Sequence, residues 1–149
     1  MIDQYQIDFD NLLIDHILTL KNIDPGVKHS NVGGWHSTPF YNIPNWFESY
    51  FNIIEKTINN KIHDFWFNVN EHGHSNKWHT HGNAFALIGV WYLQTPINSG
   101  NFCVQIDNET KTIVPYSKLF ITHPCGINHC VTENQSNQSR ISVAFNFCK

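Results

Sequence analysis

The stretch Arg140-Ile141-Ser142-Val143-Ala144-Phe145-Asn146-Phe147 is where the reading of this chain turns. Successive side chains of a strand project to opposite faces, so Ile141, Val143, Phe145 and Phe147 make one apolar face while Arg140, Ser142, Ala144 and Asn146 share the other. A guanidinium on an inward face needs a partner. An isolated buried cation is very unfavourable, whereas a carboxylate satisfies its planar fork and a serine hydroxyl supplies another bond. Spacing leaves the partner open: a bound acid, an internal acid such as Asp107 or Glu133, or water at a strand end.

Upstream, the same strand chemistry runs back to about residue 64. Short segments rich in β-branched and aromatic residues read as strands at Phe65–Asn70, Trp78–His81, Ala86–Leu93, Asn101–Ile106, Thr112–Val114, Lys118–Thr122, His129–Thr132 and Ile141–Phe147. Turn residues separate them, among them Glu71-His72-Gly73, Asn98-Ser99-Gly100, Asp107-Asn108 and Pro124-Cys125-Gly126. Before residue 64 the periodicity is helical. Phe9, Leu12, Leu13, Ile17 and Leu20 predict a helix over about 8–20, and a second over about 45–62 follows from Asn45 as cap, Glu48 three residues on, and Trp46, Phe47, Tyr50, Ile54, Ile58 and Ile62 along one stripe. Two helices followed by about eight strands predict a mainly β fold with N-terminal helices, of the jelly-roll or cupin-like kind. A pair of sheets of that type has a mouth where a metal and small acids can sit.

The chain carries ten histidines. Within Trp78-His79-Thr80-His81, residues i and i+2 share a strand face, so His79 and His81 can offer two imidazoles to one ion, and a later strand can bring His129 as the third. Three ligands on one face leave octahedral positions open for small ligands. Glu71 or His74 could replace His81 if the loop before Trp78 folds inward. A zinc cluster of His123, Cys125, His129 and Cys130 is the weaker alternative, because that spacing matches no structural zinc pattern.

Composition narrows the classes. At 149 residues, with no internal repeat or long linker, residues 1–149 are expected to form one domain. Charged residues are only 14%, below the roughly 25% of an average soluble protein, so the surface leans on Asn, Ser, Thr and Gln. A net charge of -3 argues against bulk nucleic acid and anionic membranes as partners and favours a small ligand. No apolar run approaches membrane-spanning length and the N-terminus lacks a basic secretory leader, which predicts a cytoplasmic protein. Cys103, Cys125, Cys130 and Cys148 contain no Cys-x-x-Cys pair and are expected to be buried thiols. Low surface charge would tolerate a homo-oligomer without requiring one.

Taken in order, His79-Thr80-His81, Val90-Trp91-Tyr92-Leu93, Asn98-Ser99-Gly100, Leu119-Phe120-Ile121 leading to His129, and Arg140-Ile141-Ser142 resemble the Fe(II)/2-oxoglutarate-dependent oxygenases, especially the prolyl-hydroxylase-like branch. With Gly33-Gly34-Trp35-His36-Ser37, the chain is similar to the small members of that family found in phages and bacteria, over about residues 30–147. The resemblance implies a double-stranded β-helix, with Fe(II), 2-oxoglutarate and O2 as cofactor and co-substrates and an unidentified substrate hydroxylated with release of succinate and CO2. It also implies His79, His81 and His129 as the catalytic metal ligands and Arg140, Ser142 and Tyr92 as the residues holding the distal carboxylate of 2-oxoglutarate. His81 departs from the pattern, standing where most of the superfamily has a carboxylate. Three neutral imidazoles would leave the ion at +2, which a 2-oxoglutarate dianion would cancel. Trp35, His36, Trp78, Asn83 and Trp91 are candidates for the entrance, although aromatic residues at strand ends are more often core. Two rival classes stay open: a three-His cupin-like metalloenzyme that binds substrate directly without 2-oxoglutarate, and a metal-free jelly-roll binding module.

Overall fold

A computed structural model describes all residues, 1–149. The chain opens with a strand, β1 (Asp3–Gln6), then helix α1 (Leu12–Lys21), and two short strands, β2 (Asn31–Val32) and β3 (Trp35–His36). A single 3₁₀ turn (Asn45–Phe47) leads into α2 (Glu48–Ile58). The remaining strands follow as β4 (Ile62–Asn70), β5 (Ser75–His79), β6 (Leu87–Gln94), β7 (Phe102–Ile106), β8 (Glu109–Ile113), β9 (Leu119–Pro124), β10 (His129–Val131) and β11 (Arg140–Phe147). No helix is long and apolar enough to cross a membrane.

Both predicted helices exist, but each is shorter than its periodicity suggested. α1 starts at Leu12, where the Asp10 carboxylate accepts the Leu12 N–H at 2.8 Å; ahead of it the chain is extended through β1 to Gln6, and the Ile7 N–H still bonds the Lys118 carbonyl at 2.9 Å. α2 stops at Ile58: Asn59 takes a left-handed conformation (φ 57), and the Glu55 carboxylate accepts the Ile62 N–H at 2.9 Å, turning the chain into β4. Ile62 is therefore a strand residue. Asn45 makes no capping bond, since Pro44 occupies the cap position of the 3₁₀ turn.

Two antiparallel sheets carry the rest. The larger has the order β1-β9-β6-β11-β4-β3, and the smaller β2-β5-β10-β7-β8. β11 lies inside the larger sheet, between β4 and β6, so both of its edges are hydrogen-bonded. Its Ile141, Val143, Phe145 and Phe147 are fully buried with Leu13 and Ile17 of α1, Phe47, and Ile54 of α2 in the main core. Burial of this kind sets the cost of truncation: Phe145, in contact with Phe47, Phe65 and Phe120, would cost about 3–5 kcal/mol as Ala. The alternate residues, Arg140, Ser142, Ala144 and Asn146, face the space between the sheets. Part of that space is filled by a second core of Tyr92, Phe102, Val104, Leu119 and Ile121. The rest is a cavity of about 670 Å³.

Asp107 and Asn108 both adopt positive φ (52 and 63) between β7 and β8, the two-residue turn whose twist matches that of the flanking strands. All four cysteines are free thiols, three of them buried.

Candidate metal centre

β10 is paired on one side with β5 and on the other with β7, and its register places His129 directly opposite His79. His81 is not in the strand, as its spacing from His79 predicted; β5 ends at His79. The chain beyond it is held by the His81 N–H on the Cys125 carbonyl at 3.3 Å and by the Cys125 thiol donating to the His81 carbonyl at 3.4 Å. The imidazoles still converge. Ring centroids lie 4.2 Å apart for His79 and His129, and 5.3 Å apart for His81 with each of the other two. One nitrogen from each ring falls within 4.8 Å of the others.

The hydrogen bonds decide which nitrogens face inward. Nδ1 of His79 donates to the Lys77 carbonyl at 2.7 Å, and Nδ1 of His129 to the Ile127 carbonyl at 2.9 Å. Nδ1 of His81 donates to the Asn146 side-chain oxygen at 3.0 Å, an orientation fixed because the Asn146 amide nitrogen donates to Asp64 at 2.9 Å. In all three rings the proton sits on Nδ1, which leaves the Nε2 lone pair as the available ligand atom. Burial, reinforced by neighbouring imidazoles, pushes His81 down to about 4 and His129 down to about 2, and burial pushes His79 down as well. Three rings kept neutral at physiological pH are in the form a metal requires.

Across the cavity, β11 contributes Arg140 and Ser142, and the neighbouring β6 contributes Tyr92 in register with Ser142. Arg140 is 3% exposed and makes one bond, from Nη1 to the Ser99 carbonyl at 3.4 Å; its Nε has no partner. The Tyr92 hydroxyl, also buried, has none either. Burial lowers the arginine pKa and raises that of Tyr92 to about 12, so a cation faces a protonated phenol donor. No acid neutralises the guanidinium: Asp107 and Glu133 form no ion pair with it. Gly100 (φ 101) makes room for Arg140, since a Cβ there would lie 2.3 Å from the Thr132 carbonyl oxygen and 2.9 Å from Arg140 Nη1.

Other residues fall differently from their sequence reading. His36 and Trp78 line the cavity, but Trp35 and Trp91 are core residues, with Trp91 Nε1 donating to the Ile7 carbonyl at 3.0 Å; Asn83 is exposed and outside the lining. Glu71 and His74 are absent from the cavity and close a turn through the Glu71 N–H to His74 Nδ1 bond at 2.9 Å. Of the suggested zinc cluster, His123 joins His129 in the cavity, with rings 4.5 Å apart, while Cys130 is opposite Cys103 on the other face of β10. Sequence reading missed Asp64, Trp66 and Phe102, and named His123 only in the zinc alternative. The signal for the first two was the alternation in β4, whose Asp64, Trp66 and Asn68 face the cavity while Phe65, Phe67 and Val69 enter the core.

No protein-family model matches the sequence, and no curated protein does so either. Solved structures do match in fold. A prolyl-4-hydroxylase from Pseudomonas putida is 13% identical, with a TM-score of 0.77 over 99% of this chain and 92% of its own. An oxidoreductase of the 2OG-Fe(II) oxygenase family from Burkholderia pseudomallei is 14% identical, with a TM-score of 0.72 over 99% and 85%. The viral collagen prolyl hydroxylase of Paramecium bursaria Chlorella virus-1, in complex with 2-oxoglutarate, is 14% identical, with a TM-score of 0.71 over 99% and 96%. The chain therefore has the fold of these oxygenases.

Proposed function

We propose that this protein is an Fe(II)- and 2-oxoglutarate-dependent oxygenase that hydroxylates a C–H bond of its substrate with release of succinate and CO2, the two sheets forming a double-stranded β-helix. One observation carries the reading: three imidazoles present Nε2 to a common point in the same cavity where a buried guanidinium has no acid and an unpartnered Nε, and a buried phenol hydroxyl has no partner. Neutral nitrogen donors suit Fe(II), and the orphaned Nε of Arg140 and hydroxyl of Tyr92 suit a carboxylate.

His79, His81 and His129 would hold the metal, each ring locked by the acceptor on its Nδ1. Bound there, Fe(II) with 2-oxoglutarate and O2 supplies the oxidising power that converts C–H to C–OH. Arg140, with Tyr92 and Ser142, would take the distal carboxylate and thereby aim the keto acid end of the molecule at the imidazoles. Phe102 and Val90 supply apolar wall that keeps water from the reacting atoms, while Trp66, His36 and Phe85 line the part of the cavity left to the substrate. A three-His enzyme without the diacid, or a metal-free binding module, would give Arg140 and Tyr92 no partner.

The test is anaerobic titration of the Fe(II)-loaded protein with 2-oxoglutarate. A visible metal-to-ligand charge-transfer band is expected, and it should vanish in Arg140→Ala. Folded, iron-loaded protein that gives no band would rule the assignment out.

A further inference from the structure

The cavity has an unusual balance of charge. Its lining contains three neutral metal-facing imidazoles, a buried arginine and, exposed to solvent, Lys77, and Asp64 is its only carboxylate. A divalent cation held by neutral rings keeps its full double charge, which a 2-oxoglutarate dianion would cancel; Lys77 is screened by solvent, and the guanidinium then remains as the one buried excess positive charge. Asp64 carries the single negative charge that would balance it. The carboxylate is 6% exposed and has no Lys or Arg within ion-pairing distance.

Asp64 does not touch the triad itself. It is opposite Asn146 in the β4–β11 register, and Asn146, also 6% exposed, has both ends of its amide committed. The Asn146 nitrogen donates to Asp64 Oδ1 at 2.9 Å and its oxygen accepts from His81 Nδ1 at 3.0 Å. His63 Nδ1 donates to the same Asp64 oxygen at 2.9 Å and fixes its orientation. His79 and His129 bond only to backbone carbonyls, so His81 alone is tied to a formal charge. A carboxylate acting through a polarised amide raises electron density on the imidazole it reaches.

We infer that Asp64, acting through Asn146 on His81, supplies the negative charge of the metal centre, so that the one carboxylate of the site sits a hydrogen-bonded relay away from the metal instead of on it. Asp64 and Asn146 are positioning residues here. The inference rests on the oxygenase reading, specifically on the triad binding a metal and the cavity binding a diacid.

A charge role and a scaffolding role predict opposite signs in one experiment. Removing a negative charge weakens binding of a cation and strengthens binding of a dianion, whereas a loosened site weakens both. Co(II) affinity is measured by chelator competition, and 2-oxoglutarate affinity of the Co(II)-loaded protein by calorimetry. Asp64→Asn should bind Co(II) about tenfold more weakly and 2-oxoglutarate about threefold more tightly. The double variant Asp64→Asn with Asn146→Asp, which puts a carboxylate directly on His81 Nδ1, should return both values toward wild type. If Asp64→Asn weakens both ligands, or changes neither while the wild type binds both, the relay is refuted and the oxygenase reading stands. A wild-type protein that takes up neither Co(II) nor the diacid overturns the two together.

Discussion

Arg140→Met separates the role of the arginine in binding from its role in folding, because the two should respond in opposite directions. Without a diacid the guanidinium is 3% exposed, holds one long bond of 3.4 Å to the Ser99 carbonyl, and leaves Nε without a partner. Desolvating an ion costs several kcal/mol after relaxation, and a single weak neutral acceptor offsets little of it. Methionine keeps most of the side-chain length and removes the charge. The ligand-free variant should be more stable than wild type by about 1–4 kcal/mol, and each kcal/mol raises Tm by about 2–4 °C in a chain of this size. The ligand response inverts. With 2-oxoglutarate at about 100 times its Kd, the metal-loaded wild type gains about 2.7 kcal/mol. Loss of a buried, bonded charge partner costs about 2–5 kcal/mol of affinity, which removes most or all of that gain. The assay is thermal melting of both proteins, metal-loaded under anaerobic conditions, with and without the diacid. A variant that melts below wild type without diacid and still responds to it would refute the account of Arg140 as a cation waiting for a carboxylate.

Gly100→Ala forces a Cβ to 2.3 Å from the Thr132 carbonyl oxygen and 2.9 Å from Arg140 Nη1, so it should cost more than about 1 kcal/mol of stability and weaken 2-oxoglutarate binding while sparing metal uptake; calorimetry on the metal-loaded variant checks this. His129→Ala removes a ligand donor outright and should reduce Co(II) affinity by more than the roughly 10–100-fold typical of losing an outer hydrogen bond, as read by chelator competition. Stability should also depend on pH. His81 and His123 are pushed down to about 4 and His129 to about 2, against 6.5 ordinarily, so between those values the unfolded chain binds more protons than the folded one. Metal-free protein should hold its full stability above about pH 6.5 and lose it as pH falls toward 4; denaturation curves flat across that window would contradict the burial of neutral rings. Because no proton has to leave the folded triad, apparent Co(II) affinity should change little between about pH 8 and pH 6, and a steep decline there would count against the tautomers assigned to it.

Strand alternation carried much of the architecture. The split of 140–147 into an apolar face and a face bearing Arg140 and Ser142 is the split found between the main core and the cavity, since a two-residue period leaves no other choice once both faces are covered. The Asp107-Asn108 turn was equally readable, because few residues tolerate two consecutive positive φ angles. β1 was not. Its sequence Asp3-Gln4-Tyr5-Gln6 has no apolar period, and its pairing with β9 at the edge of the larger sheet is the whole reason it is a strand. Trp35 and Trp91 took the core role that is commoner for such residues rather than the entrance, a choice their sequence left open because an aromatic residue beside a glycine loop or in a strand carries no mark of which layer will cover it.

What the chain's order of residues settled by itself was local: which segments are strands, which side chains share a face, and that imidazoles and a guanidinium exist at spacings able to meet. Only the tertiary structure decided that His79 stands opposite His129, that Arg140 finds no internal acid, and that Asp64 reaches His81. The last link joins residues 82 positions apart to residues 65 positions apart through one amide. No periodicity encodes such a contact, because it depends on the register in which β4 meets β11 and on the path of the loop beyond β5, and those are fixed by burying the main core rather than by any property of the three residues themselves.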